Sequence, residues 1–308
     1  NVFGPKKKSA QLEGSKIFTK KICKKYNIPT ANFNISKNKE EAFKFLNNTK
    51  MPIVVKADGL AAGKGVYICD NLESSKNAVE EIFNGKFGNT DQILIEEFLK
   101  GDEMSYFILS DGYSFKSFNT AQDHKRVGER DTGKNTGGMG AYSPSGLINS
   151  ELEKKIINKI IKPTLNAIIK FGDRYRGFLY AGLIIKNNEP YLIEYNVRMG
   201  DPECQTILPL LKSDLLELII SCCDQTLSKK EIEWHNKKSL CIVLCSKGYP
   251  EEYIKNLEIP NFTFIETDEN NFTFHAGTEI KDNKIYATGG RVLNFVSISD
   301  QFGSSRNK

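Results

Sequence analysis

Histidine is scarce in this chain, with 3 in 308 residues, and there is a single tryptophan. So few imidazoles, and 7 cysteines that include no C-x-x-C pair, argue against a zinc site, whose ligands usually come as close pairs. Cys222 and Cys223 are adjacent, and Cys241 and Cys245 lie in an apolar run; the cysteines read as buried, reduced thiols. No apolar run approaches the roughly 20 residues that a membrane span needs. Behind Asn1 to Pro5 come Lys6, Lys7 and Lys8 with no apolar stretch, so no signal peptide is expected and the expected compartment is the cytoplasm. Internal repeats and low-complexity tracts are also missing.

The rest of the composition is that of a soluble globular protein, 39% hydrophobic and 26% charged. At 308 residues the chain is long for one core, so two domains, or one large and one partial, are expected. The net charge of +5 is modest. Lys6 to Lys8 and Lys20, Lys21, Lys24 and Lys25 read as solvated helix faces. The chain has no nucleic-acid module and no aromatic residues interleaved with the lysines, while small anionic substrates would suit such a surface.

Periodicity predicts an amphipathic helix from Gly14 to Tyr26, with Ile17, Phe18, Ile22 and Cys23 on one side, ended at Ile28-Pro29-Thr30. A short helix follows at Glu40 to Leu46. Strands are predicted at Pro52 to Lys56, Val66 to Cys69, Gln92 to Phe98 and Ser105 to Leu109, with a helix at Ser74 to Phe83. Residues 120–146 are polar and glycine-rich and read as one long loop, a lid or a disordered stretch. A helix at Glu151 to Phe171 should kink at Pro163. Strands Phe178 to Ile185 and Tyr191 to Arg198 follow, joined by a turn, and then a helix at Ser213 to Cys223. Lys229 to Lys238 reads as a linker. Leu240 to Cys245, Phe272 to Ala276 and Arg291 to Phe295 read as strands of a smaller domain, and Ser299 to Lys308 as a frayed tail.

Pro52 to Cys69 carries the clearest chemical signal. An apolar strand ends in Lys56, a loop holds Gly59, Gly63, Lys64 and Gly65, and a second apolar strand leaves. Small residues let backbone N–H groups approach phosphate oxygens, and the lysines add charge. It is not a Walker A loop, which needs four residues between its glycines, Ser or Thr after the lysine, and a helix next. The plain alternative is a glycine-rich hairpin; the lysines favour phosphate binding.

On the strand Tyr191 to Arg198, side chains two apart share a face at roughly 7 Å. Glu194, Asn196 and Arg198 should therefore project together, and Ile193, Tyr195 and Val197 the other way. A carboxylate beside an amide oxygen suits Mg²⁺, and an adjacent arginine can neutralise phosphoryl oxygens. The alternative is an exposed edge strand with Glu194 paired to Arg198. Gly200-Asp201-Pro202-Glu203 follows directly and adds two acids in a sharp turn. A second acidic strand, Ile93 to Leu99 with Glu96 and Glu97, leads to Gly101-Asp102-Glu103. It is either a strand end reaching solvent or a hinge that meets a purine and a ribose.

Taken in order, the lysine strand, glycine-rich loop, Glu96-Glu-Phe-Leu99 hinge and Glu194-x-Asn196-x-Arg198 resemble the ATP-grasp superfamily. Finer motifs resemble the phosphoribosylamine–glycine ligase family. They are Phe3-Gly4-Pro5, Glu13-Gly-Ser-Lys16, Ile28-Pro-Thr30, Lys56 to Gly65, Gln122 to Val127, Asp131-Thr-Gly133, Asn135-Thr-Gly-Gly-Met-Gly-Ala-Tyr-Ser-Pro144, Gly200 to Glu203, Phe274 to Thr278 and Gly289-Gly-Arg-Val292. The resemblance covers nearly the whole chain.

That resemblance implies an α+β ATP-grasp fold, two lobes clasping ATP, over residues 1–228 with the smaller lobe at about 28–97. A linker at 229–238 and a partial, β-rich C-terminal domain at 239–308 would follow. It implies ATP with Mg²⁺ or Mn²⁺, and ligation of glycine to 5-phosphoribosylamine through glycyl phosphate, a step of de novo purine biosynthesis. No nucleic-acid or membrane partner is implied, and the expected state is a monomer or weak homodimer. Metal ligands by this analogy are Glu194 and Asn196. The ATP site would use Lys56, Gly59, Gly63, Lys64, Gly65, Glu96, Glu97, Phe98 and Glu103. The substrate side would use Asp123, Lys125, Asp131, Thr132, Asn135, Thr136, Gly137, Gly138, Met139 and Arg198, with Arg198, Lys64 and Asp201 nearest the chemistry.

Departures from the family pattern are Lys134 in place of proline and Cys204 in place of threonine. The family also opens with a Rossmann-like domain, whereas this chain opens at the motif that normally follows, and its C-terminal domain reads as cut short after Asn294. Another ATP-grasp ligase or carboxylase, or an ATP-binding fragment without turnover, is the alternative.

Overall fold

A computed structural model describes residues 2–60, 65–130, 132–260 and 269–306. Helix α1 (Lys7–Gly14) leads through Ser15 into α2 (Lys16–Lys25). The Ser15 hydroxyl caps α2 by accepting from the Phe18 N–H at 3.0 Å, and it donates to the Asp58 carboxylate at 2.9 Å. Only α2 was legible by periodicity, because α1 buries just Ser9 and Leu12.

Strand β1 (Phe33–Ser36), α3 (Lys39–Leu46), β2 (Ile53–Ala57), β3 (Val66–Cys69), α4 (Leu72–Phe83) and β4 (Ile93–Glu97) build a small lobe with strand order β1-β4-β2-β3. Asn38 and Asn71 start its helices, each accepting with a side-chain oxygen from a backbone N–H three residues on, at 2.8 Å. Both helices cover one sheet face, where Ile53, Val55, Ile93 and Ile95 pack with Leu46, Val79 and Ile82. Alternation then turns Lys56 and Glu96 to the opposite face, and α2 lies on that side. Lys20, expected in solvent, is buried there instead. Its position three residues after Ile17 and three before Cys23 puts it on the inward stripe of α2, and Glu96 supplies the counter-charge.

The large lobe begins with β5 (Asp102–Asp111), β6 (Phe115–Asp123), the hairpin β7 (Arg126–Gly128) and β8 (Thr132–Asn135), and β9 (Gly140–Ser143). Residues 120–146 are thus mostly strand, correcting the expected long loop. Their backbone groups pair with neighbouring strands, and their polar side chains pair with each other. Ser143 Oγ donates to Thr120 O at 2.7 Å and Tyr142 Oη to Gln122 Oε1 at 2.5 Å. The long helix divides into α5 (Ser150–Ile156), a π turn (Ile157–Ile161) and α6 (Lys162–Lys170). The irregularity lies before Pro163, where the missing N–H breaks the i to i−4 ladder.

Strands β10 (Arg176–Lys186) and β11 (Glu189–Asn196) are joined through Asn187 and Asn188, both left-handed at φ 54° and 58°. Helices α7 (Glu203–Ile207) and α8 (Leu215–Cys223) follow, then β12 (Lys238–Cys245), β13 (Leu257–Ile259), β14 (Asn271–His275), β15 (Thr278–Lys281), β16 (Lys284–Ala287), β17 (Arg291–Ser299) and α9 (Phe302–Arg306). The main sheet runs β11-β10-β5-β6-β9-β12-β17-β14, so the C-terminal strands join the large lobe edge to edge through β9 and β12. Strands β13, β16 and β15 form a small sheet of their own. Tyr106 and Ile108 face one core with Leu152, Ile156 and Ile160, while Phe107 and Leu109 face a second with Ile207 and Leu218. Burial on both faces explains the unbroken apolar run in β5.

One further expectation changes. The 299–308 tail is not frayed over its described part: Phe302 packs edge-on against Tyr142 with ring centroids 5.1 Å apart. Within 229–238, Trp234 packs on Phe118 at 5.1 Å. All seven cysteines are free; Cys23, Cys69, Cys222 and Cys241 are buried, the other three half-buried. Among the described residues no helix is long and apolar enough to cross a membrane.

Candidate active site

The edge strand β11 contains a bulge. Glu194 pairs with Gly182 and Leu192 with Leu183, which leaves Ile193 as the extra residue. Ile193 therefore turns to the same cavity as Glu194, while Leu192 and Tyr195 face the core. This corrects the strict alternation that placed Ile193 with Tyr195. The strand also ends at Asn196, so Arg198 lies beyond it. Arg198 nonetheless stays beside Asn196, with Nη2 donating to Asn196 Oδ1 at 3.4 Å. Its ion-pair partner is Glu13 at 3.0 Å rather than Glu194. Glu13 also accepts from the Val197 N–H at 2.8 Å, so α1 holds the end of this strand.

Gly59, in the glycine-rich turn, has φ +91°, a conformation that favours glycine. Lys16, at the start of α2, donates from Nζ to Gly59 O at 2.9 Å. Burial lowers the Lys16 pKa, and the neighbouring Glu194 carboxylate works against that shift. Lys16 thus lies near both Gly59 and Glu194. Gly65 closes the turn, its carbonyl accepting from Ala57 N at 2.9 Å. Gly63 and Lys64, like Asp131, lie outside the described residues.

Beneath the turn, Glu96 bonds two ammonium groups, Lys56 at 2.8 Å and Lys20 at 2.9 Å. Burial alone would raise the Glu96 pKa, but Lys56 and Lys20 outweigh it and the net shift is downward. Burial lowers the Lys20 pKa. The Glu96 carboxylate thus meets one ammonium at each oxygen, and Oε1 makes no hydrogen bond beyond its ion pair. Glu97 is engaged as well, accepting from Asn32 N and Nδ2 at 3.1 and 3.0 Å. Phe98 is exposed beside it.

Glu103, Asp123, Lys125, Tyr180 and Glu194 line one cavity in the large lobe. Lys125 bonds Glu103 at 3.2 Å. Burial disfavours its charge, but the Tyr180, Glu103, Glu194 and Asp123 oxygens around it hold its pKa well above the usual value. Asp123 is pushed up to about 8 by burial and by the Glu203 carboxylate. Glu203 is buried at the start of α7 and accepts from Ser105 Oγ at 3.0 Å.

The segment Thr136–Met139 runs beside Lys125 and Asp123. Thr136 Oγ1 donates to Lys125 O at 2.7 Å, and Gly137 N donates to Tyr249 Oη at 2.9 Å. Gly138, at φ +113°, admits no side chain, since a Cβ would lie 2.5 Å from Pro202 Cδ and 2.9 Å from Asp123 Oδ1. Arg291 on β17 donates to Gly137 O at 2.7 Å, and it bonds Asp201 at Oδ2 at 2.9 Å. Met139 is half-buried against Cys245. Thr132 and Asn135 are exposed on the β7–β8 hairpin, further from these groups, and Thr132 Oγ1 is occupied by Glu129 O at 2.7 Å.

Glu194 and Asn196 offer hard oxygen donors beside one another, a donor set that fits Mg²⁺ better than a softer ion. Among the described residues no group of three or more His, Cys, Asp or Glu side chains forms a metal cage. Any divalent ion here would take most of its shell from a ligand and water.

The family profile of the phosphoribosylglycinamide synthetase ATP-grasp (A) domain matches residues 14–204, and that of the C domain of the same synthetase matches 239–308. The chain is 48% identical over 293 residues to the phosphoribosylamine–glycine ligase of Agrobacterium fabrum, covering 95% of this chain and 69% of that one. With the Pasteurella multocida enzyme of the same name it shares 47% over 303 residues, covering 97% and 70%. The chain belongs to the phosphoribosylamine–glycine ligase family. The crystal structure of the Thermotoga maritima ligase superposes with a TM-score of 0.89 at 36% identity, over 100% of this chain and 77% of that one.

Four residues that hold this ligase site together were not singled out from sequence. Glu13, Lys16, Glu203 and Arg291 each lie inside a quoted motif, so the signal was present without a role. Tyr180 has no such signal: it lies mid-strand in an apolar run, and only the fold turns its hydroxyl to Ser105 at 2.9 Å.

Proposed function

We propose that this ligase joins glycine to 5-phosphoribosylamine, the two compounds that its relatives' name carries, at the expense of ATP. The glycine carboxylate oxygen attacks the γ-phosphorus of ATP, the bond to the β-phosphate oxygen breaks, and glycyl phosphate and ADP form. The phosphoribosylamine nitrogen then attacks the acyl carbon, loses a proton and expels phosphate. No protein nucleophile takes part; positioning and charge neutralisation supply the catalysis.

The observation that carries this reading is Lys16, whose ammonium donates to Gly59 O and lies close enough to Glu194 for that carboxylate to support its charge, one side chain near both the glycine-rich turn and the Glu194–Asn196 strand. In this reading Lys16, Lys56 and Lys64 face the triphosphate, with Gly59, Gly63 and Gly65 letting the backbone approach it. Glu96 positions Lys56, while the Glu97–Phe98 backbone and Glu103 meet the nucleoside. Glu194 and Asn196 would hold Mg²⁺ or Mn²⁺, which neutralises phosphate charge when bound. Arg198 and Asp201 flank the transfer. Asp123, Lys125, Asp131, Thr132, Asn135, Thr136, Gly137, Gly138 and Met139 line the substrate side.

The same reading takes residues 1–228 as the ATP-grasp domain with its smaller lobe at about 28–97, 229–238 as the linker, and 239–308 as the C-terminal domain. The separate four-stranded sheet at 33–97 supports the lobe boundary. Seven free cysteines support a reducing, cytoplasmic location. A monomer or weak homodimer acting on small molecules alone completes the reading. The test is ADP release by the purified chain: it should require glycine and phosphoribosylamine together, and release that follows bicarbonate instead would overturn the assignment.

A further inference from the structure

A second cavity, of about 530 Å³, opens away from the Glu194 strand, between α1, α6 and the outer ends of β5 and β10. Lys6, Arg174 and Arg176 line it together with Tyr113, Asp111 and Asp173. Its two carboxylates are already occupied. Asp111 accepts from the Tyr113 and Ser114 N–H groups at 2.8 and 2.6 Å, from Ser114 Oγ at 3.0 Å and from Leu227 N at 3.3 Å. Asp173 accepts from Ser9 Oγ at 2.7 Å, Ser9 N at 3.2 Å and Arg174 N at 2.8 Å.

The cations are not matched in this way. Arg174 is held in place by stacking on Tyr113, 4.2 Å from the ring centroid, and by donating to Gly112 O at 3.3 Å; its remaining N–H groups are left over. Arg176 is half-buried directly across the sheet from Asp111, whose oxygens are taken. Lys8 adds a fourth cation near Gly172 at the rim. The N-terminal end of α1 and the C-terminal end of α6 both meet the cavity, and their opposite partial charges offset each other. Side-chain charge therefore decides the local potential, and it is positive. Two guanidinium groups and an ammonium around a pocket large enough for a small molecule are a recognition set for a dianion.

We propose that this cavity binds a phosphate dianion, either inorganic phosphate or a phosphomonoester, at a site separate from the ATP cleft. Arg176 and Arg174 would grip its oxygens from the sheet side, Lys6 would close from α1, and the exposed Tyr113 ring would give a phosphomonoester a surface for its organic part.

The test uses the full chain with its ATP cleft filled by a non-hydrolysable ATP analogue and Mg²⁺. Inorganic phosphate, ribose 5-phosphate and adenosine 5′-monophosphate are titrated separately, following backbone amide resonances. Saturable shifts at Tyr113, Gly172 and Gln225 are expected, with affinity weakened about tenfold or more in both Arg176→Gln and Lys6→Gln, the loss expected for a charge-assisted hydrogen bond. Lys6 is exposed, so its variant folds even where the Arg176 variant does not. Tighter binding of either monoester than of phosphate identifies the ligand as a phosphomonoester; equal binding identifies phosphate itself. Absence of saturable shifts at about 20 mM phosphate or monoester, a level well above that expected for such a site, would overturn the proposal, as would shifts that persist undiminished in Lys6→Gln.

Discussion

Arg291 holds Asp201 by both its backbone and its side chain, with Nη1 on the carbonyl at 2.8 Å and Nη2 on Oδ2 at 2.9 Å. The same Nη1 reaches Gly137 O at 2.7 Å. One guanidinium from the C-terminal strands thus ties the turn after β11 to the glycine segment beside Asp123. Replacing it should loosen both. For Arg291→Gln, kcat/KM for glycine should fall about 10- to 100-fold, the equivalent of one to two charge-assisted bonds. Arg291→Lys should recover little, because an ammonium lacks the planar fork. Steady-state kinetics of both variants check this; wild-type values in Arg291→Lys would show that charge alone suffices.

Glu194→Ala should lose on the order of 10²-fold or more in turnover, as for removal of a strong electrostatic stabiliser. Asn196→Ala should lose less, since a neutral amide contributes less charge. ADP release followed across a Mg²⁺ titration reads both. Near-normal turnover in Glu194→Ala would remove that residue from the metal site.

Glu96 is a test of buried charge. Glu96→Gln leaves Lys20 and Lys56 without their counter-ion and should cost about 3–5 kcal/mol of stability. Adding Lys20→Met should restore part of it. The pH sign follows from the lowered Glu96 pKa. Its stabilisation is complete above the unfolded carboxyl value, about 4.3, and is lost as pH falls through the lower folded value. Urea unfolding at neutral pH and below about pH 4 should show a steeper acid loss in the wild type than in Glu96→Gln.

Asp123 behaves in the opposite sense. Its pKa, raised to about 8 by burial and Glu203, stabilises the free protein fully below the unfolded value of about 3.9. That contribution falls away as pH rises towards the folded value and is gone above it. Asp123→Asn should flatten this slope, making the variant relatively more stable at pH 9 than at pH 6, while weakening substrate turnover. Parallel stability curves for the two proteins would refute the assignment.

Gly138→Ala forces a methyl group against Pro202 and Asp123 in a left-handed conformation. A loss of about 1–3 kcal/mol is expected, together with a raised KM for substrate. Thermal melting and kinetics on the same preparation check both parts.

Much of this protein was legible along the chain. The strands β2 and β4, the glycine turn after Lys56 and the Glu194–Asn196 pair all depend on neighbours within a few residues. Residues 120–146 were misread because polar strands carry no apolar alternation; their regularity comes from partner strands. The Ile193 bulge escaped for the same reason, since it exists only relative to Gly182 and Leu183 on β10.

By itself, the order of residues determined the amphipathic helices and the apolar strands, which turn needs glycine, and which family the motifs belong to. Only the tertiary structure decided that Lys20 is buried, that Glu96 serves two lysines, and that Arg291 finds Asp201 across 90 residues. Hydrogen-bonding periodicity is a local property of the backbone, whereas the state of a charge depends on what lies across from it in space.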